Sequence, residues 1–233
     1  MKIGLFGYGK MGKMIEQIAQ DRGHSIVAKI DDPSQEIDYT SMDVAIDFST
    51  PEAAFNNITS CFKNNVPVIC GTTGWLEKFE EATDICKDNK SAFIYASNFS
   101  LGVNIFFELN KHLAKMMSGL DQYNVSMEEI HHTQKLDAPS GTAITLAEGI
   151  IENTPYENWK LDESSDKTVS IKSIREGMVP GTHSISYTSS VDTIEIKHEA
   201  HNREGFALGA VIASEWIQGK TGVFSMKDVL NLS

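Results

Sequence analysis

Lys2-Ile3-Gly4-Leu5-Phe6-Gly7-Tyr8-Gly9-Lys10-Met11-Gly12 is the stretch that decides the fold. Residues 2–6 form a short apolar run that reads as a buried strand. Gly7, Gly9 and Gly12 then give a GxGxxG directly after it, at the start of a helical pattern over residues 10–22. In that setting the first glycine permits a tight turn and the second lets backbone approach a pyrophosphate. The third allows close helix packing, and the helix N-terminus faces the anion. An acid should follow at the end of the second strand, about 20 residues on, to hold the ribose hydroxyls. Asp31 and Asp32 stand there after a run over 25–30, and Asp31, the first after the strand, is the better placed. Gly7, Tyr8, Gly9, Lys10, Met11, Gly12 and Asp31 are therefore the expected dinucleotide contacts. A glycine turn that merely reversed the chain would not require strand, helix and acid in register.

Further apolar runs at 25–30, 44–48, 66–70 and 92–95 are short and rich in β-branched or aromatic residues, as buried strands are. Between them, residues 10–22, 51–65 and 76–88 carry apolar residues at helical spacing, and Thr50-Pro51-Glu52 opens the second like a capped N-terminus. Strands alternating with helices imply a parallel, doubly wound, Rossmann-type sheet. After Asn98 the rhythm changes. Residues 102–117 read as a helix, 123–131 as a strand, 142–152 as a helix and 154–166 as a polar loop. Runs at 168–175, 183–189 and 193–201 then follow without helices between them. In the last, Ile194, Ile196 and His198 alternate with Glu195, Lys197 and Glu199, so an antiparallel or mixed sheet is expected. Residues 206–219 are apolar nearly all round, including Ala207, Leu208, Ala210, Val211, Ile212 and Trp216, and need burial on more than one side. The expected class is α/β: a doubly wound domain over 1–100 completed by 206–233, with an inserted α+β domain over 101–205.

The 233 residues are 41% hydrophobic, enough to bury a core in one large or two small domains. Lys plus Arg number 20 against 32 acidic residues, a formal charge of −12, which argues against a nucleic-acid surface. An acidic chain must bind an anion through a few placed groups. Only three arginines exist, Arg22, Arg175 and Arg203, so lysines, histidines and helix N-termini are the anion binders to look for. Cys61, Cys70 and Cys86 are odd in number, lack CxxC spacing and lie among apolar neighbours, as reduced thiols do. No membrane span or signal-peptide core is recognisable, so a cytoplasmic location is expected.

Gly71-Thr72-Thr73-Gly74 and Ala96-Ser97-Asn98-Phe99 each follow a strand, at the carboxyl ends where a ligand crevice forms. On residue type alone each could be an ordinary loop. The richer stretch is Glu128-Glu129-Ile130-His131-His132-Thr133-Gln134-Lys135-Leu136-Asp137-Ala138-Pro139-Ser140-Gly141-Thr142-Ala143. Two histidines and a lysine leave a strand, and Pro139 to Thr142 open a helix whose first N–H groups face outward. That combination suits an anionic organic ligand. A metal held by His131 and His132 competes poorly, because adjacent strand residues point to opposite faces.

This stretch resembles the E-x-H-H-x-x-K-x-D-x-P-S-G-T-A signature of the dihydrodipicolinate reductases. Gly71 to Gly74, Ser97 to Ser100 with Gly102-Val103-Asn104, Arg175-Glu176-Gly177 with Val179 to His183, and Gly205-Phe206-Ala207 are similar to that family too. The likeness runs from Gly7 to the tail Met226-Lys227-Asp228-Val229-Leu230. The glycine turn is one residue shorter than the GxxGxxG of many members, and residues 31–43 are abbreviated.

The resemblance implies reduction of 4-hydroxy-tetrahydrodipicolinate, through loss of water, to tetrahydrodipicolinate with NAD(P)H, on the way to diaminopimelate and lysine. His131 and Lys135 match the proton-handling positions. His132, Lys135, Ser140, Gly141 and Thr142 match substrate contacts, and Gly71, Thr72, Thr73, Ala96, Ser97, Asn98 and Phe99 match cofactor contacts, with no metal. It also implies that domain 101–205 binds substrate and joins a homotetramer through its sheet, and two such domains suggest closure on the ligand. NADH is the expected cofactor, with NADPH possible. Asp31 and Asp32 disfavour a 2′-phosphate, while Lys10 and Lys29 are the cations nearby and Ser34 and Gln35 the only uncharged donors before Glu36. Two alternatives remain at this point. One is a non-enzymatic NAD(H) sensor with a partner-binding second domain. The other, a thioester-forming reductase, is disfavoured because no cysteine follows Cys86.

Overall fold

The computed structural model describes residues 1–32 and 34–232; Ser233, at the end of the expected 206–233 completion, lies outside the described residues. The chain divides into two compact units, Met1–Leu101 with Glu204–Ser233 and Gly102–Arg203.

The first unit is built on six parallel strands in the order β11-β5-β4-β3-β1-β2: β1 (Lys2–Phe6), β2 (Ser25–Ile30), β3 (Val44–Asp47), β4 (Val68–Cys70), β5 (Ala92–Tyr95) and β11 (Gly222–Phe224). Alternation along the strands feeds two cores. Ile3, Leu5, Val44, Ile46, Ile69 and Ile94 meet Ile15 and Ala19 of α1 (Lys10–Asp21) and Ala207, Ala210 and Val211 of α6 (Glu204–Trp216). Phe6, Ala45, Val68, Cys70 and Phe93 point the other way, to Ala54, Ile58 and Phe62 of α2 (Pro51–Lys63) and Ala82 of α3 (Phe79–Asp88). Burial on both faces is what parallel strands require, and it explains their near-continuous apolar sequences. The order reverses between β1 and β3, the kind of switch point at whose carboxyl edge open α/β sheets bind ligands.

The second unit has a mixed sheet in the order β10-β9-β6-β8-β7: β6 (Asn124–His131), β7 (Asn158–Leu161), β8 (Thr168–Arg175), β9 (Gly181–Thr188) and β10 (Thr193–Ala200). β6 runs parallel to β8 and antiparallel to β9. One face, with Val125, Met127, Val169, Ile171, Ile185 and Tyr187, packs on α4 (Leu101–Met117) and α5 (Gly141–Ile151). The opposite face carries Ser126, Glu128, Ser170, Lys172, Ser184 and Ser186. It is laced by Lys172 to Glu128 at 3.0 Å and Ser186 to Glu195 at 3.2 Å.

Three expectations are corrected. Residues 154–166 are not all loop, because β7 adds to the free edge of β8; an edge strand that is mostly exposed leaves only a weak apolar alternation in the sequence. The fourth strand starts at Val68 and not at residue 66, since Pro67 has no N–H to give the ladder, although its carbonyl accepts from Ala45. The run 76–88 opens as a 3₁₀ turn over Leu76–Lys78 before α3 begins. The tail, unassigned from sequence, supplies β11 and α7 (Met226–Leu230), the latter closed by a Ser225–Asp228 capping box. Among the described residues no helix is long and apolar enough to cross a membrane.

Candidate functional site

At the carboxyl edge of the parallel sheet, the glycine turn is held by steric necessity. Gly7 has φ +87°, its N–H donates to Ile30 O at 2.7 Å, and a Cβ there would lie 2.2 Å from the Phe48 carbonyl oxygen. A Cβ on Gly12 would lie 2.4 Å from the Gly7 oxygen, so α1 could not start where it does. Gly9, the N-cap of α1, offers no side-chain cap and has open space where its Cβ would be. Uncapped N–H groups facing open space suit an anion.

Asp31 and Asp32 are differently committed. The Tyr8 N–H donates to Asp31 at 2.9 Å, tying the end of β2 to the turn. Asp32 accepts from the N–H and hydroxyl of Ser34, both at 2.8 Å, which hold its carboxyl below the usual range. Lys29 is already paired: its Nζ is 2.8 Å from Glu16, 3.0 Å from the Tyr8 hydroxyl and 4.5 Å above the Tyr8 ring. The Tyr8 hydroxyl in turn donates to Glu16.

The loop after β4 rests on a buried acid that sequence reading passed over. Asp47, at the end of β3 and 1% exposed, accepts from the Thr72 hydroxyl at 2.5 Å, from Asn57 at 2.9 Å and from the Ser49 hydroxyl at 2.9 Å. Burial raises its pKa against those hydrogen bonds. Ser49 N–H donates to Thr72 Oγ1, and the buried Trp75 indole N–H to the Thr72 carbonyl at 2.8 Å. The Thr72 side chain is therefore spent inside the protein, whereas Thr73 is exposed. Phe99 is likewise core, 1% exposed, 5.8 Å from the Phe48 ring and with its carbonyl against Gly209 of α6; Ala96, Ser97 and Asn98 are more open.

In the second unit, β6 places Val125, Met127, Glu129 and His131 on the helix-facing side, and His132 follows as the strand ends. The register aligns Ser173 of β8, Glu129 of β6 and His183 of β9 in one row, with Arg175 opposite His131. Fully buried, Glu129 accepts from the Ser140 N–H at 3.1 Å, Ser173 Oγ at 2.7 Å and Arg175 Nη2 at 3.0 Å; His131 Nδ1 lies 3.2 Å from its Oε2. Burial opposes its charge, but the adjacent His131 ring together with the hydrogen bonds from Ser140, Ser173 and Arg175 prevails and holds its pKa well below the carboxylate range. Glu129, His131 and His183 offer ligand atoms within 4.8 Å of one another. Both Glu129 oxygens already accept hydrogen bonds from N–H or O–H donors of Ser140, Ser173 and Arg175.

Ser140 caps α5 by accepting from the Ala143 N–H at 3.2 Å, and its Oγ is 3.1 Å from His183 Nε2. Both its N–H and its hydroxyl are therefore turned inward. Gly141 and Thr142 supply the remaining first-turn donors of α5. Lys135 Nζ contacts Asp137 at 2.7 Å, Arg175 Nη2 donates to the Asp137 carbonyl at 2.5 Å, and Arg203 Nη2 is 3.5 Å from His132 Nε2. His131, His132, Lys135 and the α5 start thus gather in one cluster. Glu129, Ser173, Arg175, His183 and Arg203 complete it, all residues to which sequence reading gave no role. Glu129 carried a signal: a charge on an apolar strand face must be paired.

The buried ring of His183 has its pKa lowered to about 4, by burial first and by nearby His131 second, although Glu129 opposes. Between the ordinary value of about 6.5 and about 4, the unfolded chain binds this proton and the native protein does not, so stability falls as pH falls. Glu129 adds to the loss below its ordinary range. Urea unfolding at a series of pH values should show His183→Gln with a flatter decline between pH 6.5 and 4, by up to about 1.4 kcal/mol per pH unit. An unchanged slope would assign the acid sensitivity elsewhere.

Comparison with known proteins follows the two units. A family model described as dihydrodipicolinate reductase, N-terminus, matches residues 1–99, and one described as dihydrodipicolinate reductase, C-terminus, matches residues 102–230. A 4-hydroxy-tetrahydrodipicolinate reductase of Christiangramia forsetii is 58% identical over 99% of this chain and 98% of its own length. One of the same description from Thermosipho africanus is 36% identical over 99% and 98%. The solved structure of a dipicolinate-bound dihydrodipicolinate reductase from Paenisporosarcina sp. TG-14 shares the fold, with a TM-score of 0.80, 97% of each chain covered and 24% identity. With both parts matched and a relative more than half identical along its whole length, the chain belongs to the dihydrodipicolinate reductase family.

Proposed function

We propose that this oxidoreductase reduces 4-hydroxy-tetrahydrodipicolinate, after loss of water, to tetrahydrodipicolinate in the synthesis of diaminopimelate and lysine. The observation that carries the reading is the 58% identity, over essentially the whole chain, to a reductase of that substrate. A bound nicotinamide dinucleotide supplies the hydride for the conjugated imine. The open, uncapped start of α1 beside Gly9 fits its pyrophosphate, and Asp31 its adenosine ribose.

The remaining steps fall to this chain's residues. Lys135, with the N–H groups of Gly141 and Thr142, holds a substrate carboxylate; His132 stands beside them. His131 and Lys135 manage the proton that accompanies the hydride, with Nδ1 of His131 turned to Glu129 and Nε2 left for the reacting side. His131→Ala should lower kcat on the order of 10²–10⁴-fold and leave nicotinamide affinity intact, because the glycine turn is untouched. A coupled assay with freshly generated substrate measures this. Near-normal turnover would remove the role of His131, and cofactor binding with no turnover in the wild type would favour a non-enzymatic sensor.

NADH is the preferred cofactor in this reading. A 2′-phosphate would meet Asp31 and Asp32, and Lys29, the cation within the adjoining strand, is already neutralised by Glu16. The expected result is a higher kcat/KM with NADH at matched ionic strength, and a gain with NADPH in Asp32→Arg. Equal or better use of NADPH by the wild type would sink the preference.

The protein works in the cytoplasm as a homotetramer formed through the sheets of residues 102–203. What supports the assembly is the face bearing Ser126, Ser170, Ser184 and Ser186 with Lys172 and Glu128, a regular polar surface on the side away from α4 and α5. Light scattering should give a mass near four chains; a monodisperse monomer at working concentration would contradict it.

A further inference from the structure

The buried acid of the second unit does more than balance a charge. Glu129 lies between the ring of His131 and the N-cap of α5, and it touches three elements at once: β6 itself, β8 through Ser173 and Arg175, and the start of α5 through the Ser140 N–H. Arg175 extends its reach, since the nitrogen that pairs with Glu129 also donates to the carbonyl of Asp137, whose carboxylate holds Lys135. One anion is thus connected both to the imidazole and to the ammonium of the cluster.

We infer that Glu129 is a positioning residue for the reduction: its carboxylate fixes the proton of His131 on Nδ1, leaving Nε2 free for the reacting side, and anchors the start of α5 that holds the substrate carboxylate. This rests on the proposed role of His131. A carboxylate can only accept, so the neutral ring facing it must present an N–H at Nδ1. At 3.2 Å the two groups stand within reach without a formed hydrogen bond, and such catalytic contacts often tighten only when substrate binds. Rotation that would exchange the two nitrogens is restricted. The His183 ring packs edge-on against that of His131 at a centroid distance of 5.1 Å, and the β9 backbone at Gly181 passes close enough that a Cβ there would lie 3.1 Å from His131 Nε2. The donors on Glu129 come from two other elements, β8 and the start of α5, so its position is over-determined and the ring beside it inherits that precision.

The alternative is an ion pair that only holds β6 to β8. Ring-nitrogen NMR of the full-length enzyme, ¹⁵N-labelled at histidine with NADH bound and His131 assigned by its loss in His131→Gln, distinguishes the two. The wild type should show the Nδ1–H tautomer. In Glu129→Gln the amide can donate to Nδ1, so the population should move to Nε2–H. At the same time kcat should fall about 10²-fold or more, KM for the substrate should rise, and NADH affinity should stay unchanged. An Nε2–H tautomer in the wild type overturns the inference without recourse to any variant, which covers the case of Glu129→Gln failing to fold. A folded Glu129→Gln that keeps the Nδ1–H tautomer, or keeps wild-type kcat, also overturns it. Normal turnover in His131→Ala would instead defeat the role proposed for His131, and the tautomer result would stand apart from that outcome.

Discussion

A carboxylate withdrawn from water must recover its donors inside the protein, and in this chain the demands of Glu129 organise the second unit. Leaving such a charge uncompensated costs several kcal/mol, so the elements that surround it are constrained to arrive together. β8 and the start of α5 converge on β6 because each brings an N–H or O–H to Glu129. The apolar packing of Leu146, Ile150, Ile171 and Ile185 supplies most of the driving force, but it would tolerate small slips. The hydrogen-bonded acid does not. Asp47 plays a similar part in the first unit, where it joins the loops after β3 and β4 through Ser49, Asn57 and Thr72.

Much of the architecture was legible in the chain because burial on both faces leaves an unmistakable mark. Val44 to Asp47 and Ala92 to Tyr95 could hardly be anything but interior strands, and the second unit's period-2 runs announced a sheet with one wet face. β7 and β11 were not legible. Each is only a few residues long, lies at a sheet edge and owes its conformation to a neighbour's ladder, which no local pattern encodes. The same limit applies to the candidate site. Periodicity puts Glu129 on an inward face, yet its partners Ser173 and Arg175 lie more than 40 residues away, and only the pairing of β6 with β8 brings them within reach.

The net charge of −12 conceals a local reversal. Lys135, Arg175 and Arg203 and the positive end of α5 fall within one unit, around the histidines, while the acids of that cluster are either fully buried or paired with those cations. Attraction for a dicarboxylate is therefore a short-range property of a few side chains. The field of the whole molecule opposes it, and added salt, which screens that long-range repulsion first, acts mainly on approach.

The parallel sheet takes its outermost strand, β11, and one of its covering helices, α6, from the last thirty or so residues, whereas the second unit is a continuous segment of the chain. Order of synthesis and order of completion are therefore inverted. During translation the inserted segment can close its own core while the unit that encloses it in sequence still lacks a layer, and residues such as Ile3, Leu5, Ile15 and Ile94 wait for Ala207, Ala210 and Val211 to cover them. The glycine turn precedes the inserted segment in the chain, yet the sheet that supports it is finished only by residues that follow that segment.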